Sequence, residues 1–185
     1  MNHPEGEIGD VIRQLCKAKS SIEQQETIIR YFVPNAGFQH PLCTVKRGDN
    51  SRGLIIGIYR WYRNMSPNLE IVVESSKFDE QLNIIYVNAV QVFHVWISPL
   101  KPVPARLLVR IDLNRSSEDG KYYIVQQTDY YQPEDILALT IPFLIYPLVF
   151  IKIATSWICV INSAIYLWIQ ALVLKFIPYS PVVWK

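Results

Sequence analysis

The sequence predicts an α+β fold, with N-terminal helices packed on a curved antiparallel sheet, followed by a C-terminal transmembrane or membrane-embedded helical segment. Three observations predict it. Apolar residues recur at helical spacing through the first third of the chain. They then alternate at the spacing of strands. In the last third the charges disappear, and an apolar run long enough to cross a bilayer begins.

The elements follow in order. Residues 7–17 read as a helix with Ile8, Val11, Ile12 and Leu15 on one stripe. Ser20 or Ser21 caps a second helix running to about Phe32, and Glu23 or Gln24, three residues on, suits a capping box. Pro34-Asn35-Ala36-Gly37 breaks it, and residues 38–45 are a short extended piece. A third helix covers about 51–64, with Leu54, Ile55, Ile58, Trp61 and Tyr62 as a wide apolar face; Ser66-Pro67 ends it.

Four antiparallel strands come next. In 69–78, Leu69, Ile71 and Val73 share one face and Glu70 and Glu74 the other. The segment 83–97 is apolar on both faces, which predicts burial on both. A loop at 99–104 leads to 105–113, with Arg106, Arg110 and Asp112 outward. The polar turn 116–120 leads to 121–131, and Pro133 closes the domain. A strongly curved sheet of this kind would wrap the third helix and leave a cone-shaped pocket.

Composition narrows the classes. Half the residues are apolar, while 18 basic and 16 acidic residues leave a net charge of +2, which gives no case for nucleic acid. Cys16, Cys43 and Cys159 are far apart and odd in number, so a reducing compartment is expected. The first residues carry acids and no apolar stretch, unlike a signal peptide, so the sequon Asn114-Arg115-Ser116 would not meet the secretory lumen.

The expected domains are 1–132, a globular unit; 133–152, an apolar, proline-containing interfacial or re-entrant segment; 153–174, a transmembrane helix; and 175–185, a short tail. From Ile153 to Leu174 no residue is charged. At about 1.5 Å per residue this run spans roughly 33 Å, enough for a hydrocarbon core near 30 Å. Lys152 and Lys175 bracket it, with Trp157, Tyr166, Trp168, Tyr179 and Trp184 as interface aromatics. Asn162 and Gln170 intrude eight residues apart, near one helix face. The preceding run 136–151 contains Pro142 and Pro147, which would kink or interrupt a helix. Three topologies fit: a tail anchor crossing at 153–174, two spans with Lys152 at the far side, or a hairpin within one leaflet. Lys152 at a hairpin turn would be a costly deep charge. The expected place is the membrane of the endoplasmic reticulum or a lipid droplet, with the globular domain facing the cytoplasm.

The run Ile28-Ile29-Arg30-Tyr31-Phe32, with Ala36, Phe38 and His40-Pro41 following, resembles the opening of NTF2-like (SnoaL-like) domains, in which a helix drops into the first strand. The stretches from Ile58 to Pro67, Gly120 to Ile124 and Asp129-Tyr130-Tyr131 sharpen this into similarity to the SigF-like NTF2-like group, found in small fungal proteins with an apolar C-terminal tail. The resemblance covers about residues 5–132. It implies the NTF2-like cone, with a pocket between the sheet and the third helix and an Asp, His or Tyr inside it in catalytic members. It also implies a homodimer through the open sheet face. No established catalytic set carries over.

Within that frame Asp129, His40 and His94 are the candidate catalytic residues. Asp129 shares a strand face with Tyr123, Val125, Gln127 and Tyr131; a carboxylate in an apolar cone has a raised pKa and serves as a general base. The same residue in a Thr-Asp-Tyr turn would simply bond backbone amides. His40 is either a base near the mouth or a structural histidine that bonds the following turn. His94 shares a face with Tyr86, Asn88, Val90, Val92 and Trp96, which either lines the cone or meets a dimer partner. Tyr59, Tyr62, Tyr86, Trp96 and Phe38 are the candidate pocket residues. Arg60 and Arg63 would meet phospholipid headgroups or form a solvated face. His40 and Cys43 are too few for a metal site. No phosphate loop, dinucleotide glycine pattern or G-x-S-x-G appears, so no cofactor is expected. The functional expectation is a binding or interaction module for a lipophilic small molecule held at the bilayer. The alternatives are a dehydratase, isomerase or cyclase on a lipophilic substrate, and a dimerising scaffold without ligand.

Overall fold

The computed structural model describes residues 1–94, 96 and 102–176. Two compact units are present, Met1–Pro142 and Phe143–Lys185. The first contains α1 (Pro4–Cys16), α2 (Ser21–Tyr31), β1 (Phe32–His40), β2 (Cys43–Val45), α3 (Ser51–Met65), β3 (Glu70–Asp79), β4 (Ile84–Phe93), β5 (Val103–Arg115), β6 (Tyr122–Tyr131) and α4 (Pro133–Thr140). The six strands form one sheet in the order β2-β1-β6-β5-β4-β3. β3 to β6 run antiparallel, as the sequence predicts, while β1 joins β6 in parallel.

Local chemistry sets the helix starts. Pro4 opens α1, where its missing N–H costs nothing. At α2 the Ser20 hydroxyl accepts the Glu23 N–H at 3.1 Å, while the Glu23 carboxylate accepts the Lys19 N–H at 2.8 Å. α3 is tied to β1 at its start: Ser51 Oγ donates to the Ala36 carbonyl at 2.6 Å, and Arg52 Nη1 donates to the Phe32 carbonyl at 2.9 Å.

The core lies between the three helices and the inner sheet face. Ile8 and Val11 of α1, Ile28 of α2, Ile55 of α3 and Ile85, Val87, Ile111 and Ile124 of the strands are fully enclosed. α3 buries Ile55 and Tyr59 most deeply; Leu54 and Trp61, expected on its apolar face, are exposed. The buried stripe is therefore narrower than the run of apolar letters suggests.

Three other expectations change. The strand after α2 begins at Phe32 instead of Phe38, and the Pro34–Gly37 stretch is a bulge within β1, where the register against β6 shifts between Phe32 and Gly37. β4 is not buried on both faces: Tyr86 and Asn88 are exposed, while Ile85, Val87 and Ala89 are enclosed. In β3 the alternation reverses past Val73 because the ladder shifts there, bringing Phe78 against Tyr122.

The C-terminal expectations shift as well. α4 packs on β5 within the first unit, so 133–140 are part of the globular fold, beyond the expected boundary at 132. A short 3-10 turn, Pro142–Leu144, precedes α5 (Ile145–Phe176). Pro147 is the third residue of α5, where a first-turn N–H has no helical partner to lose, so the helix passes unbroken through Lys152. A reversal at Lys152, needed for the two-span and hairpin topologies, is absent from α5. Among the described residues α5 is the one helix long and apolar enough to cross a membrane. Residues 95, 97–101 and 177–185, which include part of the expected strand 83–97, part of the expected loop 99–104 and the expected tail with Tyr179 and Trp184, lie outside the described residues.

Candidate functional site

Between α1, α3 and the inner face of the sheet is a cavity of about 340 Å³. β6 supplies its polar floor. Alternation along that strand puts Gln127, Asp129 and Tyr131 on the inner face, and their ladder partners Ile111, Val109 and Leu107 share that face on β5. Leu107 and Val109 also line the cavity, together with Ile12, Leu15, Ile71 and Phe93. The walls are therefore mostly apolar, with one carboxylate set among them.

Asp129 is held by a relay. Tyr59 O–H on α3 donates to Gln127 Oε1 at 2.9 Å, which fixes the carboxamide so that Gln127 Nε2 donates to Asp129 Oδ1, also at 2.9 Å. Burial pushes the Asp129 carboxyl up to about 7, opposed by the Gln127 bond. A carboxyl that titrates there is available both as base and as acid at neutral pH. Burial, with the nearby Asp129 charge adding to it, raises the Tyr59, Tyr131 and Cys16 groups, so all three stay protonated; Cys16 is pushed up to about 12.

An aromatic wall surrounds this floor. His40 meets Tyr131 edge-on at 5.2 Å and Tyr62 at 5.6 Å; Phe38 meets Tyr59 at 5.9 Å; Tyr62 meets Phe93 at 6.1 Å. The His40 ring accepts the Leu42 N–H on Nδ1 at 3.2 Å, so its proton is on Nε2. Burial lowers its pKa to about 4, which keeps it neutral and makes Nε2–H a donor. His40 thus bonds the following turn and lines the cavity at once.

The other sequence candidates divide. Phe38, Tyr59 and Tyr62 line the cavity with His40 and Asp129. Tyr86 and Trp96 do not: Tyr86 is on the outer sheet face, and Trp96 is 66% exposed. Their expected place in the pocket is corrected: the alternation of β4, whose odd residues Gln91 and Phe93 face inward, turns Tyr86 outward, and Trp96 lies beyond the end of that strand. His94 follows β4, its backbone N–H bonded to Ser66 Oγ, and is not among the cavity residues. Arg60 and Arg63 tie α3 to neighbouring chain, Arg60 through Gln25 and Arg63 through the Ala18 and Lys19 carbonyls. Among the described residues no group of three His, Cys, Asp or Glu side chains is placed to hold a metal.

This cone-shaped arrangement has known counterparts. The pattern of the SigF NTF2-like domain matches residues 1–171. The chain belongs to the SigF NTF2-like domain family. The match runs past α4 and through most of α5, so the apolar helix is largely inside the matched region. Among solved structures, a SnoaL-like polyketide cyclase from Jannaschia has a TM-score of 0.54 at 14% identity, covering 75% of this chain and 94% of its own. A SnoaL-like isomerase from Agrobacterium tumefaciens has a TM-score of 0.52 at 14% identity, covering 69% and 97%. A protein of ketosteroid isomerase-like fold from Catenulispora acidiphila, solved with trimethylamine, has a TM-score of 0.52 at 15% identity, covering 71% and 92%. At such identities the likeness shows the fold alone. No curated protein matches the chain.

Two residues of this SigF NTF2-like site carry weight that the sequence reading did not give them. Gln127 and Tyr131 were visible there only as neighbours of Asp129 on one strand face. The Tyr59–Gln127 bond spans 68 residues, and no local spacing announces it.

Proposed function

We propose that the chain is a membrane-tethered, lipophile-binding domain that moves a proton on its bound molecule, as an isomerase, cyclase or dehydratase does. The observation that carries this reading is Asp129, a carboxylate in an apolar cavity with one oxygen fixed by Gln127. An apolar cavity with a few polar groups favours a small lipophile, and about 340 Å³ is near the lower end of the ~300–1,000 Å³ of small-molecule sites. That size suits a compact ring system better than a two-chain phospholipid. Asp129 takes a proton from carbon next to a carbonyl, and the displaced electron pair moves onto the carbonyl oxygen. A protonated O–H or N–H of the wall, from Tyr131 or His40, stabilises that oxygen. Returning the proton to a second carbon completes an isomerisation with no oxidant or cofactor.

α5 supplies the tether in this reading, crossing the bilayer with the first unit in the cytoplasm. It keeps the cavity where lipophilic molecules are concentrated. The endoplasmic reticulum or a lipid droplet suits a late apolar segment.

The test uses the full chain in detergent micelles, incubated with a panel of cyclic β,γ-unsaturated ketones. Native mass spectra report binding, and absorbance of the conjugated product reports turnover. The expected result is binding with turnover in the wild type, and binding without turnover in Asp129→Asn. Retained turnover in that variant would remove Asp129 as the base. Binding without turnover in the wild type would leave a carrier, and no binding at all would leave a scaffold.

A further inference from the structure

α5 carries a feature that neither the cavity nor a simple anchor uses. Between Lys152 and Leu174, the hydroxyl, thiol, carboxamide and ammonium groups belong to Lys152, Thr155, Ser156, Cys159, Asn162, Ser163, Tyr166 and Gln170. At about 100° per residue all eight fall within an arc of roughly 120°. The opposite side, with Trp157, Ile161, Ile165 and Trp168, is apolar. The spacing is more specific than a polar stripe. Lys152, Ser156, Cys159, Ser163, Tyr166 and Gln170 follow one another at intervals of four, three, four, three and four residues. That is the seven-residue repeat by which two helices pack along a left-handed seam.

The seam is open in the single chain. All eight residues are exposed. The Ser156 hydroxyl turns back to the Lys152 carbonyl at 2.9 Å, whereas the side chains of Thr155, Asn162, Ser163, Tyr166 and Gln170 make no hydrogen bond among the described residues. Asn162 and Ser163 sit at the midpoint of 153–174, the depth at which a bilayer offers no water. Lipid tails give these groups nothing to bond, so a second helix that does is favoured.

We propose that this polar seam of α5 pairs with the same seam of a second copy of this chain, forming a parallel, in-register homodimer within the bilayer. Self-complementarity selects a second copy. Ser, Thr, Tyr, Asn and Gln each donate and accept, so each can bond its own counterpart across a two-fold axis. Copies inserted by the same rule have the same orientation, which makes the pair parallel and sets like residues opposite one another. Ser156 and Ser163 are small and seven apart, which lets the backbones approach. Lys152, at the end of the uncharged run, reaches toward the headgroups, so the two ammonium groups are separated in water. This inference rests on the reading of α5 as a membrane span.

The chain contains its own reporter. Cys159 is a seam residue, exposed and free, and in the proposed pair it faces its copy. The full chain is inserted into phosphatidylcholine liposomes, insertion is scored by resistance to carbonate extraction, and copper–phenanthroline oxidation reports thiol proximity. The expected result is a disulfide dimer as the main product, lost in Cys159→Ser. Cys159→Ser combined with Ile161→Cys, which moves the thiol to the far side of the helix, should give at least several-fold less dimer. Asn162→Leu with Gln170→Leu should weaken dimerisation roughly 3- to 30-fold. An inserted chain that gives no Cys159 dimer, or equal dimer from position 161, overturns the seam while leaving the anchor standing. A chain extracted by carbonate overturns the anchor and the seam together. Neither result bears on proton transfer at Asp129, which is read separately.

Discussion

Two carboxamides, Gln127 and Asn162, are set among apolar residues of the chain, and they differ in what they touch. Gln127 is bonded at both ends within its own unit, accepting from Tyr59 and donating to Asp129. Asn162 is exposed on α5 and bonds nothing among the described residues. A buried amide without partners costs on the order of 1–3 kcal/mol, so an amide placed in apolar surroundings implies a partner. For Gln127 the partners are in the same unit, and the result is a fixed carboxylate. For Asn162, in the proposed membrane span, the partner would come from a second copy. Gln127 thus belongs to a preorganised site, and Asn162 to the proposed interface.

The largest expected effect tests the first half of that comparison. Asp129→Asn should lower turnover about 10²- to 10⁴-fold while leaving ligand affinity within a few-fold, read from saturation kinetics and native mass spectra. Next in size is the direct contrast. Gln127→Leu strands the Tyr59 hydroxyl and the Asp129 carboxyl, and should cost the first unit about 1–3 kcal/mol in denaturant unfolding. Asn162→Leu should leave the same transition within about 0.5 kcal/mol, because the amide supports nothing there. Equal losses in the two variants would erase the distinction between the regions.

A third effect is pH-dependent and of similar or smaller size. The Asp129 pKa in the fold, about 7, is above its unfolded value, so its stability contribution is complete below about pH 4 and is lost as pH rises through 7. Asp129→Asn stays neutral, so it should match the wild type near pH 4 and exceed it by on the order of 1–3 kcal/mol at pH 8. His40 works in the opposite sense. Its pKa in the fold, about 4, is below the ordinary 6.5, so its contribution is present above 6.5 and is lost as pH falls through 4. His40→Gln should flatten the acid side of the curve, measured by thermal unfolding across pH. The smallest effect concerns Cys16. Its raised pKa leaves almost no thiolate at neutral pH, so alkylation of Cys16 in the folded chain should be far slower than after unfolding, by peptide mass mapping.

The sequence made part of this legible and hid the rest for definite reasons. Alternation along β5 and β6 was plain, because Arg106, Arg110 and Asp112 mark the outer face, and it groups Asp129 with Gln127 and Tyr131; Tyr123 and Val125, expected on the same face, are not on it, because the ladder shifts between Asp112 and Leu113 and encloses Ile124 between them. The Ser20–Glu23 cap was also readable, being local. β4 misleads because Tyr86, Val90 and Val92 look like core residues, yet an outer sheet face tolerates them; the same pattern makes Tyr86 and Trp96 look like pocket residues. Pro34 and Gly37 look like a terminator and are a bulge inside β1. Pro147 looks like a break and sits in a first turn. The relay from Tyr59 through Gln127 to Asp129 joins residues distant in sequence, so only the folded chain reveals it.

The proposed chemistry requires Asp129 to exchange a proton with a bound lipophile. The most direct measurement is deuterium incorporation into a cyclic ketone held by the full chain in heavy water, followed by mass spectrometry of the recovered ketone. The expected result is label beside the carbonyl for the wild type, with a rate that rises through pH 7, and none above background for Asp129→Asn at equal occupancy. Equal labelling by the two proteins would contradict it.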